Sequence, residues 1–137
     1  MATKKKLLQA AAGQAGGGAG LNVEEVFSTY LYDGTGATQS ITNNIDLSGE
    51  GGMTWLKARS LTAYDNSVYD TERGATKRIV TNSTNEEFTR TGGLTSFNSD
   101  GFTLGNAGDE NESGATIVSW TFRKAPKFFD VVTYTGT

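Results

Sequence analysis

The chain has 137 residues, a formal net charge of −3, no Cys and no His; this length builds one domain with a real core and is too short for two large ones. Without His and Cys there is no Ser-His-Asp triad, His-bound zinc, thiol nucleophile, iron–sulfur cluster or disulfide framework. The acidic balance, with a pI near 4.9, lacks the positive footprint of a nucleic-acid binder, and no apolar run reaches the length of a membrane-spanning helix.

The chain opens on Lys4, Lys5 and Lys6, followed by Leu7 and Leu8. This start mimics a signal peptide, but Gln9 and Gln14 interrupt the apolar region and the run Gly16 to Gly20 ends it, so no cleaved leader is expected. Lys4 to Ala12 is an extended or short-helical arm, because a helix of this length is marginal alone in water. Gly13 to Gly20 has the composition of a flexible linker. Two readings of residues 1–20 stay open. One is a disordered tail; the other is an attachment arm that orders on a partner, anchored by Leu7 and Leu8 and steered to an acidic surface by Lys4, Lys5 and Lys6.

Residues 21–126 form the body. Asn22 is placed to cap a turn through Val23–Val26, with Glu24 and Glu25 suited to its first residues. Phe27 to Tyr32 is a strand closed by the turn signal Asp33-Gly34-Thr35-Gly36. Met53 to Lys57, Lys77 to Thr81, Glu87 to Thr91, Leu94 to Phe97 and Gly101 to Leu104 are further strands. In Ala115 to Arg123, Val118, Trp120 and Phe122 alternate with Ser119 and Thr121, the strongest period of two in the chain. Short strands separated by Gly, Asn and Asp turns, rich in Thr and aromatic residues, predict an all-β antiparallel sandwich. Trp55, Phe97, Phe102, Val118, Trp120 and Phe122 are expected to point inward. Pro126 ends the last ladder and marks the edge of the body.

Residues 127–137 read as a linker or as the start of a second module. Phe129 to Thr137 can be laid against Phe27 to Thr35, with Phe, Tyr, Gly and Thr recurring at matching places.

In order, the phrases Val26-Phe-Ser-Thr-Tyr-Leu-Tyr32, Gly52-Met-Thr-Trp-Leu-Lys57, Tyr69-Asp-Thr-Glu-Arg-Gly-Ala-Thr76, Leu94 to Gly105 and Ser119-Trp-Thr-Phe-Arg-Lys-Ala-Pro126 resemble those of virion appendage proteins of tailed phages, especially phages of marine bacteria and cyanobacteria. The resemblance covers roughly Leu21 onward. It implies a jelly-roll or concanavalin-A-like sandwich and a structural, non-enzymatic role in the N-terminal, tail-attachment region of a tail fibre. It further implies localisation to the virion, a homotrimer, and a phage tail protein as partner through the arm. A lectin-like module for host-surface polysaccharide and a head-decoration or baseplate protein are the alternatives. No cofactor is implied.

Individual residues weigh the same way. Asp65, Asn66 and Asp70, or Asp109 to Glu112, offer oxygens for calcium, yet that ion needs six to eight converging ligands and neither cluster has EF-hand spacing, so solvated loops are expected. Glu86, Glu87, Glu110 and Glu112 contain no pair at a defined separation for glycoside hydrolysis, and no enzyme activity is expected. Trp55, Trp120, Tyr64, Tyr69 and Phe97 are candidates for stacking on sugars. Of these Trp120 reads as core, while Tyr64 and Tyr69, in a polar stretch, are the better candidates for exposed contact, and even for them a structural hydrogen bond is the expected role. Arg73, between Asp70 and Glu72, reads as an architectural ion pair.

Overall fold

The computed structural model describes residues 20–137, so the arm residues Lys4, Lys5, Lys6, Leu7 and Leu8 lie outside the described residues. The body is an all-β antiparallel sandwich. It contains β1 (Phe27–Asp33), β2 (Gln39–Thr42), β3 (Gly52–Ala58), β4 (Ser67–Asp70), β5 (Lys77–Val80), β6 (Phe88–Thr89), β7 (Leu94–Asn98), β8 (Gly101–Leu104) and β9 (Thr116–Arg123). Among the described residues there are three one-turn helices: α1 (Val23–Val26) precedes β1, while α2 (Leu47–Glu50) and α3 (Gly108–Asn111) lie between strands. One sheet has the order β1-β9-β3-β4-β5-β6 and the other β2-β8-β7.

Local chemistry places most of these elements. Asn22 caps α1, its side chain accepting from the Glu24 amide, and Asp46 caps α2 through the Gly49 amide at 2.8 Å, each satisfying an amide that the helix cannot. The expected strands are found with ends shifted by a residue or two. The strands β2 and β4, and the helices α2 and α3, are additions that the sequence pattern did not reveal. In β4, Ser67, Val68, Tyr69 and Asp70 are all buried, so no polar and apolar faces alternate for a pattern to detect.

The core between the sheets is built from Ile41, Ile45, Leu47, Leu56, Tyr69, Leu94, Phe102 and Leu104. Close approach requires glycine in places: a methyl group on Gly93 would lie 2.0 Å from the Tyr69 hydroxyl, and one on Gly34 would lie 2.0 Å from the Glu112 carbonyl oxygen.

The expected orientation of the aromatics needs correction. Cross-strand register puts Ile117 opposite Ala58, Ser119 opposite Leu56 and Thr121 opposite Thr54, and all six side chains are buried on the inner face. Trp55, Val118, Trp120 and Phe122 therefore stand on the outer face of the large sheet. Only Phe97 and Phe102 point inward as expected. The physical reason is that a period of two establishes alternation without saying which set faces the core. Here the inner face accepts Thr and Ser because their hydroxyls find partners: Asn43 Nδ2 donates to Thr121 Oγ1 at 2.9 Å, and Thr54 and Thr121 hydroxyls meet at 3.3 Å.

Candidate functional site

Two constellations stand out, one inside the sandwich and one outside. The inner one is centred on α3. Glu110 is fully buried; its Oε1 accepts from Ser67 Oγ at 2.6 Å and from the Tyr69 hydroxyl at 2.9 Å, and lies 3.1 Å from Arg78 Nε. Its Oε2 accepts from Arg90 Nε at 3.0 Å. Asp109 Oδ2 accepts from Arg90 Nη2 at 2.7 Å, and Asp109 Oδ1 from the Asp65 amide at 3.0 Å. Arg78 Nη2 is 3.1 Å from Asp109 Oδ2, an ion-pair distance without hydrogen-bond alignment. The Arg78 guanidinium also sits 5.6 Å over the Phe88 ring, a cation–π position.

Asn111 completes the turn. Its Nδ2 donates to the carbonyls of Ala37 at 2.6 Å and Gly105 at 2.7 Å. Its Oδ1 accepts from the Thr35 amide at 2.9 Å and from Gln39 Nε2. One buried amide thus ties the turn after β1, the start of β2 and the end of β8 together.

The electrostatics follow the burial. The Tyr69 hydroxyl is held well above its ordinary titration range, first by burial and then by the Glu110 carboxylate that it faces. Tyr32, which donates to the Glu110 carbonyl at 2.7 Å, is raised by burial and by Glu110 as well. Burial acts to lower Arg90, but Glu110 and Asp109 outweigh it and raise the guanidinium. Both Arg and both acids are spent on one another, so the cluster has the chemistry of an internal clamp.

Several sequence expectations are revised here. Asp109, Glu110 and Asn111 are buried, not solvated, because two arginines from separate elements, β5 and the loop after β6, converge on the two carboxylates. Among the described residues, no group of three or more acidic side chains is arranged to hold a metal ion. Tyr69, a candidate for exposure, is instead fully buried, and it makes the structural hydrogen bond that was its expected role, to Glu110. Arg73 does pair with Asp70, and Asp70 also accepts from the Arg73 amide at 2.9 Å. Glu72 turns away to Lys124, 2.7 Å distant.

The outer constellation is the exposed face of the large sheet. Trp55 and Trp120, directly opposed on β3 and β9, pack edge to face with centroids 5.7 Å apart. Phe122 lies between Phe27, at 5.0 Å, and Phe129, at 5.2 Å. Leu31, opposite Val118 in the β1–β9 register, is largely exposed. Beyond Phe129, the segment Val131 to Tyr134 passes over Met53, Val68 and Ile79 and leaves a shallow crevice between itself and the sheet. The sequence signal for this surface was present as the two tryptophans; only its side was misread.

The family described as Domain of unknown function (DUF7483) matches the chain over residues 23–137. No curated protein and no solved structure matches it.

Proposed function

The chain belongs to the DUF7483 family, and we propose that its sandwich is a non-enzymatic structural module of a tailed-phage appendage, acting through protein contacts. The observation that carries this reading is the division of chemistry between inside and outside. The buried charged residues Asp70, Arg78, Asp109 and Glu110 are all engaged in ion pairs with one another or with Arg73 and Arg90. The tryptophans face outward on a regular sheet. Paired buried charge locks loops together, whereas outward aromatic surface is the composition of a binding face. The resemblance of the body to phage appendage modules supplies the biological setting: the virion, a homotrimer, and a tail protein held by the arm with Lys4, Lys5, Lys6, Leu7 and Leu8.

A lectin-like role for host polysaccharide is the second reading, favoured by one observation. Trp55 is exposed beside Trp120, and an exposed indole is the side chain on which a sugar ring stacks. Sugar affinity in the isolated body would favour this second reading, whereas a reconstruction of the intact particle separates a tail position from a head or baseplate position. Density for this chain at the tail, with residues 1–20 at the contact, supports the proposal. Density elsewhere, or normal incorporation of protein lacking residues 2–20, refutes the tail-attachment assignment.

A further inference from the structure

The sheet edges differ in how they are protected. Exposed strand edges recruit other strands unless they are short, bulged, charged or covered. Among the described residues, β6 has two residues and β2 four, while β7 carries a register break between Leu94 and Ser96. Among the described residues, the edge strand β1 is neither short, bulged nor covered, and its one charge is Asp33 at its end. It runs for seven regular residues, Phe27–Asp33, paired on one side only with β9. It contains no Lys, Pro or Gly and leaves Tyr30 38% and Leu31 59% exposed.

The same chain carries a strand without a sheet. Residues 130–137 make no backbone hydrogen bond to the other described residues, and Val132 and Tyr134 are 75% and 89% exposed. Their composition, Val-Val-Thr-Tyr-Thr, is that of a β-strand. This segment matches β1 itself at Phe129 for Phe27, Tyr134 for Tyr32 and Gly136 for Gly34. It cannot serve the β1 of its own molecule from where it lies. From Phe129 over β9 it runs across β3, β4 and β5, away from the β1 edge.

We infer that β1 accepts Asp130–Thr135 of a second copy as an added antiparallel strand, with Phe129 staying bridged to Ala125 of its own molecule. The inference rests on the self-association proposed above and assigns its contact. Centring Val132 opposite Tyr30 brings Val131 opposite Leu31, Thr133 opposite Thr29 and Tyr134 opposite Ser28, so Val132 and Val131 cover the exposed apolar groups of β1. No like charges meet: Asp130 stands opposite Tyr32, and Lys127 falls just past Asp33. Backbone hydrogen bonds supply the attraction and the alternate side chains fix the register. Donor and acceptor are different surfaces, so the contact is head-to-tail; it forms a ring, of which a trimer is one, where the rotation between copies closes, and an open filament where it does not.

The native chain has no Cys, which makes cross-linking clean. Full-length Tyr30→Cys and Val132→Cys variants would be mixed at high concentration and mildly oxidised, with circular dichroism checking that each retains its β spectrum. Directly opposed residues on antiparallel strands lie within disulfide reach. The expected result is a disulfide between the two variants in several-fold excess over either homodimer, and closed covalent oligomers from the double variant. A dominant Tyr30→Cys homodimer would mean that β1 pairs with another β1, and overturns the inference. An oligomeric mass by light scattering without the mixed disulfide overturns the inference and leaves self-association standing. A monomeric mass without cross-links at every concentration overturns both.

Discussion

Glu110 and Arg90 meet through a 3.0 Å hydrogen bond from Nε to Oε2, joining a carboxylate with no solvent exposure to a guanidinium that is still partly solvated. The bond connects α3 to the loop after β6, and the same carboxylate reaches β4 through Ser67 and Tyr69. Breaking a buried pair by removing one partner leaves an uncompensated charge, at a cost of about 3–5 kcal/mol. Glu110→Leu is therefore expected to lower the unfolding free energy by an amount in that range, read by urea denaturation. Glu72→Gln, which breaks the exposed contact with Lys124, should leave the urea midpoint unchanged. Equal effects from the two variants would remove the distinction between clamp and surface pair.

Asn111 occupies both of its donors and its acceptor on four partners. Asn111→Ala leaves buried backbone groups without partners, each costing about 1–3 kcal/mol. The variant should lose stability well beyond the loss of side-chain volume, and amide exchange should accelerate first at Thr35. Exchange that is unchanged there would mean water substitutes for the side chain.

The tryptophan pair predicts a smaller, coupled effect. Trp120 is half-buried on the outer face, so Trp120→Ala should fall short of the roughly 3–5 kcal/mol of a fully buried aromatic. A double-mutant cycle with Trp55→Ala should return a coupling of about 0.5–1.5 kcal/mol from the edge-to-face contact. Additive losses would place the rings out of contact.

Alkaline pH should unfold the protein through its tyrosines. Tyr69 and Tyr32 are both raised by burial and by Glu110, so above about pH 10 the unfolded chain releases protons that the folded chain still holds. Fewer protons bound in the unfolded state make stability fall as pH rises, by up to about 1.4 kcal/mol per pH unit for each such group. The stability is fully present below the unfolded value. Tyr69→Phe should flatten the decline between pH 10 and 11.5, measured by denaturant titration at fixed ionic strength. A slope identical to the parent would detach Tyr69 from this behaviour.

Much of the architecture was legible from residue order alone. The cap at Asn22, the turn at Asp33-Gly34, the strand through Trp120 and the all-β class follow from local preferences: side-chain reach to a backbone amide, glycine where the chain turns tightly, and alternation along a pleated strand. Such preferences act within a few residues, so they survive without knowledge of the partner strand. The inward or outward side of Trp55 and Trp120, the burial of Tyr69 and the clamp at Glu110 were decided only when distant segments met. Arg78, Arg90 and the β4 pair Ser67 and Tyr69 come from separate stretches of the chain, and each is an ordinary polar residue in its own neighbourhood. Burying a carboxylate is unfavourable until all of its partners arrive together. That condition is a property of the assembled sheets, and no local pattern records it.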